Sequence, residues 1–128
     1  MTFNSAKMTD DIIVQEGTFG FSFTASGTIY GGQVVKMAGP MQVVKSELAN
    51  DNSVGVAAYY VTKGEAVTVY GPGNIVRCHS PSGTAIGADL FAGNDGCVDD
   101  TPTYGGIYPS IGISMEATTS GAIRVLLK

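Results

Sequence analysis

From Gly17 to Lys128 no stretch longer than 14 residues is free of Gly or Pro. Gly reaches the backbone angles that close tight turns and Pro cannot continue a helix, so a chain cut this often has almost nowhere to place a helix of ordinary length, about 11 residues. Between the cuts lie short runs rich in Val, Ile, Tyr and Phe, the residues that suit a pleated, half-buried surface. The pattern predicts an all-β fold, a small single-domain β-barrel or β-sandwich of short antiparallel strands. At 128 residues, surface scaling buries roughly two-thirds of the unfolded chain's area, enough for one core without a metal or a disulfide.

The organisation follows from the same punctuation. Residues 1–11 show neither helix nor strand periodicity and read as an extended N-terminal arm, with Ile12, Ile13 and Val14 starting the organised part. Residues 1–17 are therefore assigned to the arm and a first short strand, and residues 18–128 to one barrel-like domain. In Thr18-Phe19-Gly20-Phe21-Ser22-Phe23-Thr24 the alternation is faultless and puts three phenylalanines on one face, which predicts a strand facing the core, with an exposed docking surface as the alternative. The segments 54–61 and 65–70 around Thr62-Lys63-Gly64 predict a hairpin, as do 88–92 and 97–98 around Gly93-Asn94-Asp95-Gly96, and 111–116 and 122–127 around residues 118–121. In the last of these, Ile123, Val125 and Leu127 share a face. Residues 46–53 and 99–109 read as surface loops.

Charge and composition exclude several classes. Eleven acidic residues against seven basic ones give a net charge of -4, whereas phosphate neutralisation needs clustered Lys and Arg, so no nucleic-acid partner is expected. No run approaches the ~20 apolar residues of a membrane span, and the N-terminus lacks the apolar core of a secretory signal, so no membrane partner is expected and synthesis in the cytoplasm is. In a reducing compartment Cys78 and Cys97 are expected as separate buried thiols. Charged residues make up 14% of the chain, below the usual ~25%. Self-association is the simple way to cover the apolar surface that remains.

The inventory of reactive groups is thin. His79, the single histidine, sits between Cys78 and Ser80, but neighbours in a strand point to opposite faces, which rules out a local dyad. It is read as an exposed strand-edge residue, with a long-range pairing to Cys97 the one nucleophilic arrangement left. Asp89, Asp95, Asp99 and Asp100 gather near a turn, where oxygen ligands suit calcium, yet the spacing fits no EF-hand and these are also ordinary turn residues. No metal, no cofactor and no catalytic residue is assigned. Tyr30, Tyr59, Tyr60, Tyr70, Tyr104 and Tyr108 are the better interface candidates, because a phenol tolerates one wet end.

The ordered set Ile13-Val14-Gln15-Glu16-Gly17, Gly32-Gln33-Val34-Val35, Val54-Gly55-Val56-Ala57, Lys63-Gly64-Glu65-Ala66-Val67-Thr68-Val69, Gly87-Ala88-Asp89-Leu90-Phe91, Ile111-Gly112-Ile113-Ser114 and Arg124-Val125-Leu126-Leu127 resembles the small capsid decoration, or cement, proteins of tailed viruses with an HK97-type head. The resemblance runs from about Ile13 to Lys128. It implies a non-enzymatic, compact β-barrel-like domain on the outer surface of the virion capsid. There such a domain bridges subunits of the major capsid protein, often as a homotrimer. On that footing Phe3, Ile12, Ile13 and Val14 are the expected capsid-docking residues, through addition of a strand to a sheet edge. Tyr30, Tyr59, Tyr104 and Tyr108 are the expected oligomer interface. The alternative is a carbohydrate- or receptor-binding β-module of a virion fibre or tail that stacks sugar rings on tyrosines, although such modules ordinarily use Trp and this chain has none. A hydrolase built on Cys97 and His79 is the third and weakest reading.

Overall fold

The computed structural model describes residues 14–16, 20–48, 52–101 and 109–128. Among these residues there are eleven strands, no α-helix and a single 3-10 turn at Asn94–Gly96. In chain order the strands are β1 (Val14–Glu16), β2 (Gly20–Ala25), β3 (Val34–Gly39), β4 (Gln42–Lys45), β5 (Ser53–Ala57), β6 (Ala66–Tyr70), β7 (Ile75–Ser80), β8 (Asp89–Ala92), β9 (Val98–Asp99), β10 (Gly112–Ser114) and β11 (Gly121–Leu127). The expected all-β class is what forms.

Five strands close a barrel in the order β2-β4-β3-β5-β6, and the other six form a curled sheet in the order β1-β7-β11-β10-β8-β9. All pairings are antiparallel except the one that closes the barrel: β2 and β4 run parallel, with Thr24 opposite Gln42 and Ala25 opposite Val43. Barrel closure removes free edges, and here it does so along only part of β2.

Two apolar layers result. The barrel interior holds Ala25, Ile29, Val35, Val43, Ala57, Val61, Val67 and Val69. The layer between barrel and sheet holds Val34, Val56, Val76, Cys78, Leu90, Ala92, Val98, Ile123, Val125 and Leu127. Alternation along a strand explains the split: Val34 and Val56 face the sheet while their neighbours Val35 and Ala57 face the barrel interior, so β3 and β5 are buried on both faces. Ile123, Val125 and Leu127 share the buried face of β11, as their spacing predicts.

The β8–β9 hairpin forms around the 3-10 turn, with Asp95 at φ 59 and Gly96 at φ 71. The β10–β11 pair also forms as expected. In the third predicted hairpin, β5 and β6 pair, but β5 ends at Ala57. The chain then leaves the ladder so that Val61 can bridge to Ile29, each donating its N–H to the other's carbonyl at 2.9 and 3.0 Å. Gly71-Pro72-Gly73 does not fold β7 back on β6: it carries the chain from the barrel into the sheet, where β7 lies between β1 and β11.

Candidate interaction surface

The two ends of the barrel differ. At the end where β2 finishes, the Ile29–Val61 bridge crosses the opening, and the Thr62 N–H and hydroxyl both donate to one Glu65 carboxylate oxygen at 2.6 and 2.8 Å. Those two donors hold Glu65 below the usual carboxylate range. Tyr30 and Tyr60 meet here at a centroid distance of 4.9 Å and 45° between ring planes, and Tyr59 is exposed beside them. The expected interface residues Tyr30 and Tyr59 thus fall in one neighbourhood, while Tyr70 packs against the layer between barrel and sheet. Tyr104 and Tyr108 lie outside the described residues, as do Phe3, Ile12 and Ile13. Val14 opens β1, opposite Val76 of β7.

The other end is an open mouth. Phe21 and Phe23 lie opposite Val69 and Val67 in the β2–β6 ladder, and antiparallel partners share a face, so both phenylalanines point to the interior side. Yet Phe21 is 66% exposed and Phe23 only partly buried. The expectation that the phenylalanine stripe is core fails at Phe21, and Phe19 lies outside the described residues. The reason is topological: β4 starts at Gln42 and meets β2 only from Thr24 onward, so the first half of β2 has no neighbour on that side to complete the wall. Across the opening Met37, opposite the buried Val43, is 38% exposed. Met41, 58% exposed, forms the lip, and its carbonyl accepts the Thr24 N–H at 2.9 Å. Met41 holds φ 54, a conformation uncommon outside glycine and costly for a long side chain.

Sequence reasoning did not single out Met37 or Met41. One signal was present: Gly39-Pro40 opens a tight turn, and the residue after Pro in such a turn often needs a positive φ, where this chain has Met rather than Gly or Asn.

Several polar side chains are engaged in structural work. Asp95 is engaged by the barrel. The Lys45 ammonium lies 2.5 Å from its carboxylate and 3.6 Å from that of Glu47, and the Asp95 hydrogen bond does most to raise the Lys45 pKa. Gln33 Nε2 donates to the Asp95 carbonyl at 3.0 Å and the Gly96 N–H to the Ser46 carbonyl at 2.7 Å, so the turn of the β8–β9 hairpin is pinned to the barrel. Asp89 pairs instead with Lys128 at 2.9 Å, which lowers its pKa. Among the described residues no group of three His, Cys, Asp or Glu side chains stands close enough to hold a metal ion.

His79 corrects an expectation. It is 6% exposed rather than on an open edge, and it sits opposite Ala122 in the β7–β11 ladder. Burial lowers its pKa and favours the neutral ring, and among the described residues neither its Nδ1 nor Ser80 Oγ has a hydrogen-bond partner. The Cys78 thiol is pushed far up by burial and, to a lesser degree, by the charge of Cys97, so it stays protonated at neutral pH. Cys97 donates its S–H weakly to the Asp95 carbonyl at 3.9 Å.

No protein-family model and no curated protein matches the chain. Among solved structures it is similar to the N base of the head fiber gp8.5 of bacteriophage phi29, with a TM-score of 0.65 and 18% sequence identity over 86% of this chain and 93% of that one. The two share a fold.

Proposed function

We propose that this chain is a structural protein of a phage virion that binds the outer surface of the assembled capsid and reinforces it. The observation that carries the reading is the likeness to a phage head fiber base, which takes in nearly all of both chains. The chemistry agrees with a role in binding. The one imidazole is buried and kept neutral, one thiol is held protonated in the core, and the carboxylates of Asp89 and Asp95 are taken up by lysines. The molecule offers apolar and aromatic surface to solvent at the two barrel ends, and at Ile86 and Met115 beside the strands of the sheet.

The partners in this reading are the major capsid protein, whose neighbouring subunits it bridges, and other copies of itself, in a homotrimer. Because such a ligand binds the assembled shell and not its separated subunits, many modest contacts on a symmetric lattice stabilise the shell by mass action. No reaction is assigned to it.

The test is co-sedimentation of the purified chain with mature heads of the encoding virus prepared without it. Saturable binding, with a fixed number of copies per head, is expected. Failure to sediment with heads at micromolar concentration contradicts the reading.

A further inference from the structure

At the start of β2 the barrel leaves backbone groups as well as side chains unmet. Phe21 and Met37 point to the interior face but stand in solvent, with Met41 exposed at the lip. Ala25 bonds toward β6 while Thr24 and Ser26 bond toward β4, so by alternation Gly20 and Ser22 direct their N–H and C=O groups to the side where β4 has not yet begun. Donors and acceptors in such a row match an extended backbone, which makes the occupant a strand. Free edges are ordinarily kept apart by charge or proline. Neither β2 nor β6 carries a charge or a proline, and Lys36 is the one charged residue between Gly17 and Lys45.

We propose that this strand is β2 of a second copy of the chain, paired antiparallel about a two-fold axis beside Phe21. The edge matches itself. Gly20 and Ser22 straddle Phe21, so with the two Phe21 residues opposite one another each Gly20 exchanges both of its backbone bonds with the Ser22 across from it. The two phenylalanines form the non-hydrogen-bonded pair between, where side chains stand closest, and each covers the other on the side of the mouths. The pairing stops there, because from Thr24 onward that side of β2 belongs to β4. Charge favours a like partner at this place: the chain carries -4 in all, and two copies avoid repulsion where the facing surfaces are neutral. Phe21, Met37 and Met41 count twice across the axis, yet a contact of three side chains and one short edge per copy falls under the roughly 1,200 Å² of a standard interface. It is therefore a weak contact that fills where copies are crowded, as on a shell. The interface is isologous and joins copies two by two, so it is separate from the three-fold contact of the proposed function and goes beyond it.

The test uses full-length chains under mild oxidation. Phe21→Cys is expected to give a disulfide-linked dimer, because the Cα atoms of a non-hydrogen-bonded pair lie about 4.5 Å apart, within disulfide reach. The native Cys78 and Cys97 are buried. Ile86→Cys measures random encounter, since Ile86 is 72% exposed, close to the 66% of Phe21, and lies away from the mouth. At equal concentration the Phe21→Cys dimer should form about tenfold faster or more than the Ile86→Cys dimer. Equal rates overturn the inference. A second variant spares the ladder with β6: Ser22→Pro removes an N–H that points to the open side. Added to Phe21→Cys, it should bring the rate down to that of Ile86→Cys, and a rate that the proline leaves unchanged also overturns the inference. Heads that bind the chain while Phe21→Cys cross-links no faster than Ile86→Cys would overturn this inference and leave shell binding standing; the opposite pair of results would do the reverse.

Discussion

The same interior-facing register that buries Ala25 at one end of β2 leaves Phe21 in solvent at the other, two strand pairs away. Side-chain type does not separate the two positions, since the larger and more apolar residue is the exposed one. What separates them is the neighbour. Ala25 lies between β6 and β4, whereas Phe21 has β6 on one side and, on the other, a gap where β4 has not yet begun. A barrel therefore has a sealed end that serves stability and an open end whose apolar residues are available to a partner, and nothing in the strand pattern itself tells the two apart.

The contrast is sharpest in a pair of truncations. Ile29→Ala at the sealed end removes a fully buried side chain and is expected to cost about 3 kcal/mol, while Phe21→Ala at the open end stays within about 0.5 kcal/mol, both read from urea unfolding midpoints. Equal losses would mean that the mouth is closed in solution. Next in size is the far wall of the mouth. A Cβ at Gly55 would come within 2.2 Å of the Tyr70 carbonyl oxygen, so Gly55→Ala should lose about 1–3 kcal/mol, while Gly71→Ala, where the nearest atom is 3.8 Å away, changes little. If Gly55→Ala were neutral, the opening would extend to the β5–β6 side and not be confined to β2 and β4.

Smaller still is the lip. Met41→Gly relieves a left-handed backbone and should raise stability by up to about 1 kcal/mol. A loss of stability instead would show that the Met41 side chain is part of the core. The least effect belongs to the sealed end's ion pair. Lys45 closes β4 there and is over a third exposed, so Lys45→Ala should cost no more than about 0.5 kcal/mol, and less in high salt. Asp95 raises the folded pKa of Lys45 above its ordinary 10.5, so the contribution is complete below that pH and fades as the pH climbs through the folded value. The difference in stability between the parent and Lys45→Ala should therefore shrink on the alkaline side, not the acid side.

How far the sequence foretells this molecule depends on whether a feature is local. Asn94-Asp95-Gly96 specifies its own turn, because the φ values needed at Asp95 and Gly96 are ones Asp and Gly tolerate, and the hairpin forms where expected. Ile123, Val125 and Leu127 announce a buried face by spacing alone. The parallel β2–β4 closure is different: it joins segments about 18 residues apart around a crossing loop, and no dipeptide encodes it. The burial of His79 is long-range in the same way, since its partner in the ladder is Ala122 of β11, at the far end of the chain. The open mouth follows from that long-range closure too, and so the stripe at Phe21 and Phe23 is legible as a strand, while the choice between core and surface is not settled by its spacing.

The central claim is that the chain reinforces a viral shell, and the most direct check is the temperature at which mature heads release their genome with and without it. The account predicts that the release temperature rises as purified chain is added and levels off when its sites are filled, as expected for a ligand of the assembled state. Heads that carry a full complement of the chain and still fail at the same temperature as bare heads would contradict it.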